Sequence, residues 1–350
     1  MSNQLYIEEP EVGEYRPRRR KKRHPVRTTI LVLLCLVLAG TGLAGGYLWS
    51  LASTFNNKSD TIASAFPEEA GRPAESGGQN ILLLGSDIRG GSGGSENLNG
   101  VPNGGRSDTM MLMHIPSNHK NVYVMSVMRD TWTDIPGYGE HKINAAMAFG
   151  GVPLLVQTLE GMFETRVDHV AIIDFAGFKN LTDALGGVEI NNPAAFSAVG
   201  QDGTYFPQGA QTLDGAQALK FVRERKAFSD GDYQRVKNQQ LFVKAVLARF
   251  LNADTLTNPA RISEVVSEFA PYMTVDSGLD AAAIGSLGFS LRDIRSANIH
   301  FFTLPNQGIG TSADGQSIIV KDDQAIADIA AAMKADQFDE YWASTGTAGK

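Results

Sequence analysis

From Asn80 onward, short apolar runs bounded by glycine, proline and asparagine alternate with stretches whose apolar positions return every three or four residues. The first kind marks buried strands. These are Ile81–Leu84 (closed by Gly85), Met110–Ile115, Val122–Val127, Val170–Ile173 and Ile299–Leu304, with a turn at Pro116-Ser117-Asn118. The second kind predicts helices over Val152–Phe163 and over Phe178–Leu185, the latter stopped by Gly186-Gly187. Further helices are predicted from Leu213-Asp214, over Tyr233–Phe250, near 259–270 and 279–289, and over 322–340. Strands interleaved with helices predict one α/β layered domain over residues 80–340. The Gly/Asn/Ser-rich stretch Gly90–Gly105 reads as a loop inside it.

The N-terminal part follows a different pattern. Ile30–Trp49 reads ILVLLCLVLAGTGLAGGYLW, and no charged residue occurs between Arg27 and Lys58. Residues 28–51 are long enough, at ~1.5 Å per helical residue, to cross a hydrocarbon core of ~30 Å. The segment 1–27 carries eight Lys/Arg between Arg16 and Arg27, which favours a cytoplasmic N-terminus and an extracytoplasmic domain. A cleaved signal peptide is the competing reading, with Ala63-Ser64-Ala65 as a small-residue site, but the apolar stretch is longer than a signal core. Residues 52–79 are expected to form an extracytoplasmic linker, and 341–350 a flexible tail.

Charge and cysteine usage narrow the function. The chain is formally −7, and outside the basic segment and the four acids before it the balance is 23 basic to 34 acidic residues. An acidic domain argues against nucleic acid as a partner. The one cysteine, Cys35, lies in the expected span, so the exterior has neither a disulfide nor a Cys-built metal site.

Against that acidic background the arginines are informative, because a guanidinium fork suits the oxygens of a phosphate. Four stretches carry them or their partners. Leu84-Gly85-Ser86-Asp87 puts a carboxylate at the end of a buried strand, where α/β sheets gather ligands. Arg106-Ser107-Asp108-Thr109 pairs a base with an acid, and Asp108 could share Mg²⁺ with Asp87. Ser126-Val127-Met128-Arg129-Asp130 is followed by Lys142-Ile143-Asn144-Ala145-Ala146 near a helix start. Arg223-Glu224-Arg225 precedes a helix on which Arg235 and Gln239 share a face. Taken singly, each has an ordinary explanation as a turn cap, a surface ion pair or a solvated helix face.

Taken in order, LGSD, RSDT, SVMRD, KINAA and FVRER followed by DYQRVKNQQ resemble the LytR-CpsA-Psr family. The resemblance is strong over residues 80–250 and extends to the strand near 300. It implies a three-layer α/β/α domain with a mixed central sheet, whose apolar cavity takes the tail of a polyprenyl-pyrophosphate-linked glycan. It implies transfer of that glycan to peptidoglycan, with Mg²⁺ or Mn²⁺ on Asp87 and Asp108. By motif, Asp87, Arg106, Asp108 and Arg129 carry the catalysis. Arg129, Lys142, Asn144, Arg223, Arg225, Arg235 and Gln239 bind the pyrophosphate. Two residues depart from the family pattern: Met128 where proline is common, and Asn238 where a second arginine is common. A pyrophosphatase and a non-catalytic envelope sensor remain as alternatives, separated by product analysis and by metal titration.

Overall fold

The computed structural model describes residues 45–86, 107–199, 201–250 and 258–345. The chain divides into two units, Met1–Trp49 and Ser50–Lys350. Of the first, residues 45–49 are described and are helical; residues 28–44 of the expected membrane span lie outside the described residues, as do 1–27. Within the second unit, seven strands form a mixed sheet: β1 (Asp60–Ile62), β2 (Gln79–Ser86), β3 (Ser107–Ile115), β4 (Val122–Val127), β5 (His169–Asp174), β6 (Met273–Asp276) and β7 (Ile299–Thr303). Their order is β1-β6-β5-β2-β3-β4-β7. The pairs β1/β6, β2/β5 and β4/β7 are parallel, and the others antiparallel.

The period-two pattern sets the layers. Register aligns Leu82, Leu112, Met125 and Phe302 across four strands, with Val170 on the other side of Leu82. These side chains share one core with α1 (Ala145–Phe163), α7 (Asp323–Lys334) and α8 (Phe338–Thr345). The intervening positions, among them Leu83, Met111, Val124 and Ala171, face the other way. There they meet α4 (Asp232–Phe250), α5 (Pro259–Phe269) and α6 (Ala281–Ser290). A further cluster, centred on Phe221 and Phe242, joins α4 to α2 (Phe175–Ala184) and α3 (Gly215–Arg223). Asp174 caps α2 by accepting from the Gly177 amide, and Asp214 forms a capping box with Gln217 on α3.

Three segments differ from the sequence reading. Residues 52–79 are not a tether: residues 50–58 are helical, Phe55, Ile62 and Ala65 are buried, and β1 extends the sheet. Arg72 there makes a buried ion pair with Glu160 of α1 at 2.6 Å. Composition misleads because three scattered apolar residues, Phe55, Ile62 and Ala65, suffice to seat the segment on the core. The helix expected over 322–340 is two helices, broken where Asp336 adopts φ 53°, and α8 carries the start of the supposed tail as far as Thr345. Finally, α1 begins seven residues before Val152. Gly150 (φ −144°, ψ 17°) and Gly151 (φ 66°, ψ −156°) kink it, so the first turn, whose Ala146 is also buried in the core, is aimed separately from the remainder. Val152, Leu155, Val156 and Leu159 of that remainder are fully buried.

Candidate active site

One end of the sheet opens into a cavity of about 380 Å³, roofed by α2, α3, α4 and α5. Its body is apolar, formed by Leu83, Met111 and Ala171 on the sheet and Phe178, Val246 and Phe269 on the helices. Its polar lining is Arg129, Arg223, Arg225, Arg235, Gln239, Asp174 and Thr109. Residues separated by more than a hundred positions thus converge on one chamber. Arg129 follows β4, Arg223 ends α3, and Arg235 and Gln239 lie on the first half of α4.

The backbone explains that convergence. Glu224 is extended (φ −69°, ψ 131°), which carries Arg223 and Arg225 into the same chamber. Its own carboxylate is buried and accepts from the amides of Arg225 and Ala227, both at 3.0 Å, fixing the turn. Arg223 rests over the Phe175 ring at 4.4 Å, a cation–π contact. Gln239 donates to the Val222 carbonyl at 3.4 Å. Asn238 donates to the Phe221 carbonyl at 3.3 Å and so ties α4 to α3 instead of lining the cavity. Gln240 donates to Ser126 at 3.0 Å and to Thr303 at 3.2 Å, seating α4 on β4 and β7.

At the centre is a residue that the motif reading does not single out. Asp232 places Oδ2 3.3 Å from Arg129 Nε and 3.2 Å from an Arg235 terminal nitrogen, and Oδ1 3.7 Å from Arg225. A signal exists in its i,i+3 spacing from Arg235 at a helix start, but nothing local announces Arg129 or Arg225. Asp130 likewise lies 3.6 Å from Arg129 and 3.3 Å from Lys142. Lys142 and Asn144 do not line the cavity. Lys142 reaches Asp130, and the Asn144 amide donates to the Arg129 carbonyl at 3.2 Å, so both stand behind Arg129. Met128 is buried against Val236 and Ile319.

Asp87 and Arg106 lie outside the described residues, as does the side chain of Asp108, whose backbone belongs to β3. Ser86, which precedes Asp87, pairs with Ser107, which precedes Asp108, across a register irregularity after Gly85. Among the described residues no group of three or more His, Cys, Asp or Glu could hold a metal ion.

Residues 47–335 match the LytR_cpsA_psr family. The chain belongs to that family. Among its LytR_cpsA_psr relatives, the polyisoprenyl-teichoic acid–peptidoglycan teichoic acid transferase TagU of Enterococcus faecalis is 31% identical over 304 residues, covering 87% of this chain and 94% of that protein. TagU of Bacillus licheniformis is 28% identical over 322 residues, 91% of this chain and 98% of that protein. Of solved LytR_cpsA_psr structures, B. subtilis TagV superposes with a TM-score of 0.63 at 21% identity, covering 76% of this chain and 98% of that one. TagT bound to LI-WTA gives 0.59 at 23% identity, covering 79% and 99%. The mixed α/β fold of this chain is therefore the fold of the family.

Proposed function

We propose that this protein is a phosphotransferase that moves a glycopolymer from a polyprenyl-pyrophosphate carrier to peptidoglycan, on the outer side of the membrane. The single observation that carries the reading is the chamber: an apolar body of lipid-like character ending in four arginines. A volume near 380 Å³ falls within the ~300–1,000 Å³ of ordinary ligand pockets. Guanidinium groups from three chain segments suit the several oxygens of two linked phosphates.

The chemistry follows from that placement. A hydroxyl of peptidoglycan attacks the sugar-proximal phosphorus; the new P–O bond forms as the anhydride P–O bond breaks, and polyprenyl phosphate leaves. The hydroxyl proton goes to a carboxylate, with Asp87 the first candidate. Arg129, Arg225 and Arg235 stabilise the charge that builds on the phosphoryl oxygens, and Arg106 precedes Asp108 by two positions. Lys142 and Asn144 hold Arg129 in place through Asp130 and the backbone. Asp87 and Asp108, next to paired positions on neighbouring strands, suit Mg²⁺ or Mn²⁺, which take one or two carboxylates and complete their shell with phosphate and water. Bound there, the ion supplies neutralisation of the pyrophosphate charge.

The deciding test is to incubate the purified full chain, in detergent, with a lipid-linked glycan and peptidoglycan fragments, and to weigh the products. A glycan–phosphate–peptidoglycan conjugate is expected. Free glycan phosphate would make it a pyrophosphatase, and binding without turnover an envelope sensor.

A further inference from the structure

A second feature grows from the same end of the fold. The strands Trp132–Ile135 and Gly139–Lys142 form an antiparallel hairpin whose root carries Arg129, Asp130 and Lys142. Its turn presents Tyr138, 51% exposed. The Tyr138 ring stacks on Phe149 with centroids 4.5 Å apart and planes 14° from parallel. Its hydroxyl donates to the Phe149 carbonyl at 3.4 Å, and its amide donates to the Ile135 carbonyl at 2.8 Å. His141 meets Phe149 edge-on at 5.1 Å. Phe149 packs in turn against the main core. One face of Tyr138 is therefore backed by protein, and the ring is fixed at both ends. The flanking Gly137 and Gly139 have positive φ, and a Cβ on either would meet nothing within 4 Å, so the space around the turn is open.

We propose that the Tyr138–Phe149 stack is a saccharide platform that holds a pyranose ring of the donor glycan. The inference rests on the reading of the chamber as the seat of a lipid-linked glycan. A flat aromatic face carries partial negative charge, and the C–H groups on one side of a pyranose carry partial positive charge, so the two stack without losing the sugar's outward hydroxyls. A tyrosine fixed in advance loses little entropy on binding. The hairpin root lies at the phosphate-binding end, and its turn is three residue pairs away, about 10 Å at ~3.4 Å per residue. That is the reach of a short oligosaccharide and not of the first sugar. The donor glycan starts from the headgroup seated at the root, so its later rings meet the platform at high effective concentration. A polyol-phosphate polymer without rings would gain nothing here, so the platform selects for pyranose units.

The test uses three probes on the full chain in detergent: a polyprenyl pyrophosphate without sugar, the same lipid carrying a trisaccharide, and chitotriose alone. Tyr138→Ala is expected to weaken the trisaccharide lipid by roughly tenfold while leaving the sugar-free lipid unchanged, and Tyr138→Trp to restore binding. Chitotriose at millimolar concentration is expected to shift the Tyr138 ring proton resonances in the wild type. Equal loss for both lipids, or for neither, overturns the platform. So does an effect of Tyr138→Ala on soluble peptidoglycan fragments in place of the donor lipid. If the wild type ignores the sugar-free lipid, the proposed function fails, and the chitotriose arm then judges the platform alone: shifted Tyr138 resonances support it, and unshifted ones overturn it.

Discussion

Arg235 lies one helical turn beyond Asp232 and sends its guanidinium back to that carboxylate, 3.2 Å from Oδ2. The same oxygen serves Arg129, and the other oxygen serves Arg225. One carboxylate thus holds three cations in a cluster that a pyrophosphate would otherwise have to assemble. Asp232→Asn removes one negative charge and loosens the three guanidinium groups. Ground-state affinity for the lipid pyrophosphate is expected to rise several-fold while kcat falls by about tenfold or more, so that both KM and kcat decrease. A raised KM at unchanged kcat, measured in steady state, would exclude the anchoring role.

Arg225 is 46% exposed on its side chain, whereas Arg129 is 19% exposed. Arg225→Ala should leave the melting temperature nearly unchanged and cut transfer by ~10² or more, as loss of a transition-state charge contact does. Arg129→Ala should match it in rate. Conjugate formation quantified by mass spectrometry reads both.

The apolar body of the chamber makes a prediction about chain length. Val246→Trp fills part of it, at an overpacking cost of ~1–3 kcal/mol to the fold. Transfer from a long polyprenyl donor is expected to drop by roughly tenfold relative to a two-isoprene donor. Equal loss for both lengths, in a competition assay, would place the tail elsewhere.

Arg72 and Glu160 are nearly fully buried, and Glu160 also accepts from the Val167 amide at 2.9 Å. Arg72→Ala leaves that carboxylate uncompensated, at ~3–5 kcal/mol, or about 10 °C in Tm. The double variant Arg72→Leu, Glu160→Leu should recover much of the loss. A calorimetric scan in which Arg72→Ala melts with wild type would return residues 52–79 to the role of a tether.

His114 supplies a pH dependence. Burial lowers its pKa from 6.5 to about 4, against the opposing pull of Asp336 and Asp339. Its Nδ1 donates to the Asn80 side-chain oxygen at 2.8 Å, and it packs against Phe338. The unfolded chain takes up a proton below pH 6.5 that the folded protein refuses until about 4. Stability is therefore full above pH 6.5 and declines as the pH falls toward 4, by on the order of 3 kcal/mol. Melting curves of His114→Gln should be flatter over that interval than those of wild type.

Much of this architecture can be read from residue order. The central strands and the long helix announce themselves because their apolar runs are continuous or strictly periodic. Arg223, Arg225, Arg235 and Gln239 can be paired in advance because each pair is local. Asp232 as the hub of three arginines cannot, since Arg129 is a hundred positions away and reaches it only through the β4–α4 packing. The hairpin is hidden for a different reason: Trp132–Ile135 is too short and too polar to stand out from its flanks. The strand β1 is hidden too, because one buried isoleucine and its partner β6, more than two hundred residues distant, decide it. The pairing of Asp87 with Asp108 rests on their motifs alone, since Asp87 and the side chain of Asp108 lie outside the described residues.

The paired glycines that split α1 have a consequence for how the enzyme can change over time. Behind Gly151 the helix is locked into the interior by its packed side chains and by the Glu160–Arg72 ion pair. Ahead of Gly150 a single turn carries Phe149, and with it the seat of Tyr138. Ala146 and Phe149 of that turn also meet the core, so the joint sets the direction of the turn without freeing it from the interior, and any change at the seat must keep both contacts. Straightening that joint would re-aim Phe149 and withdraw the surface on which the Tyr138 ring rests.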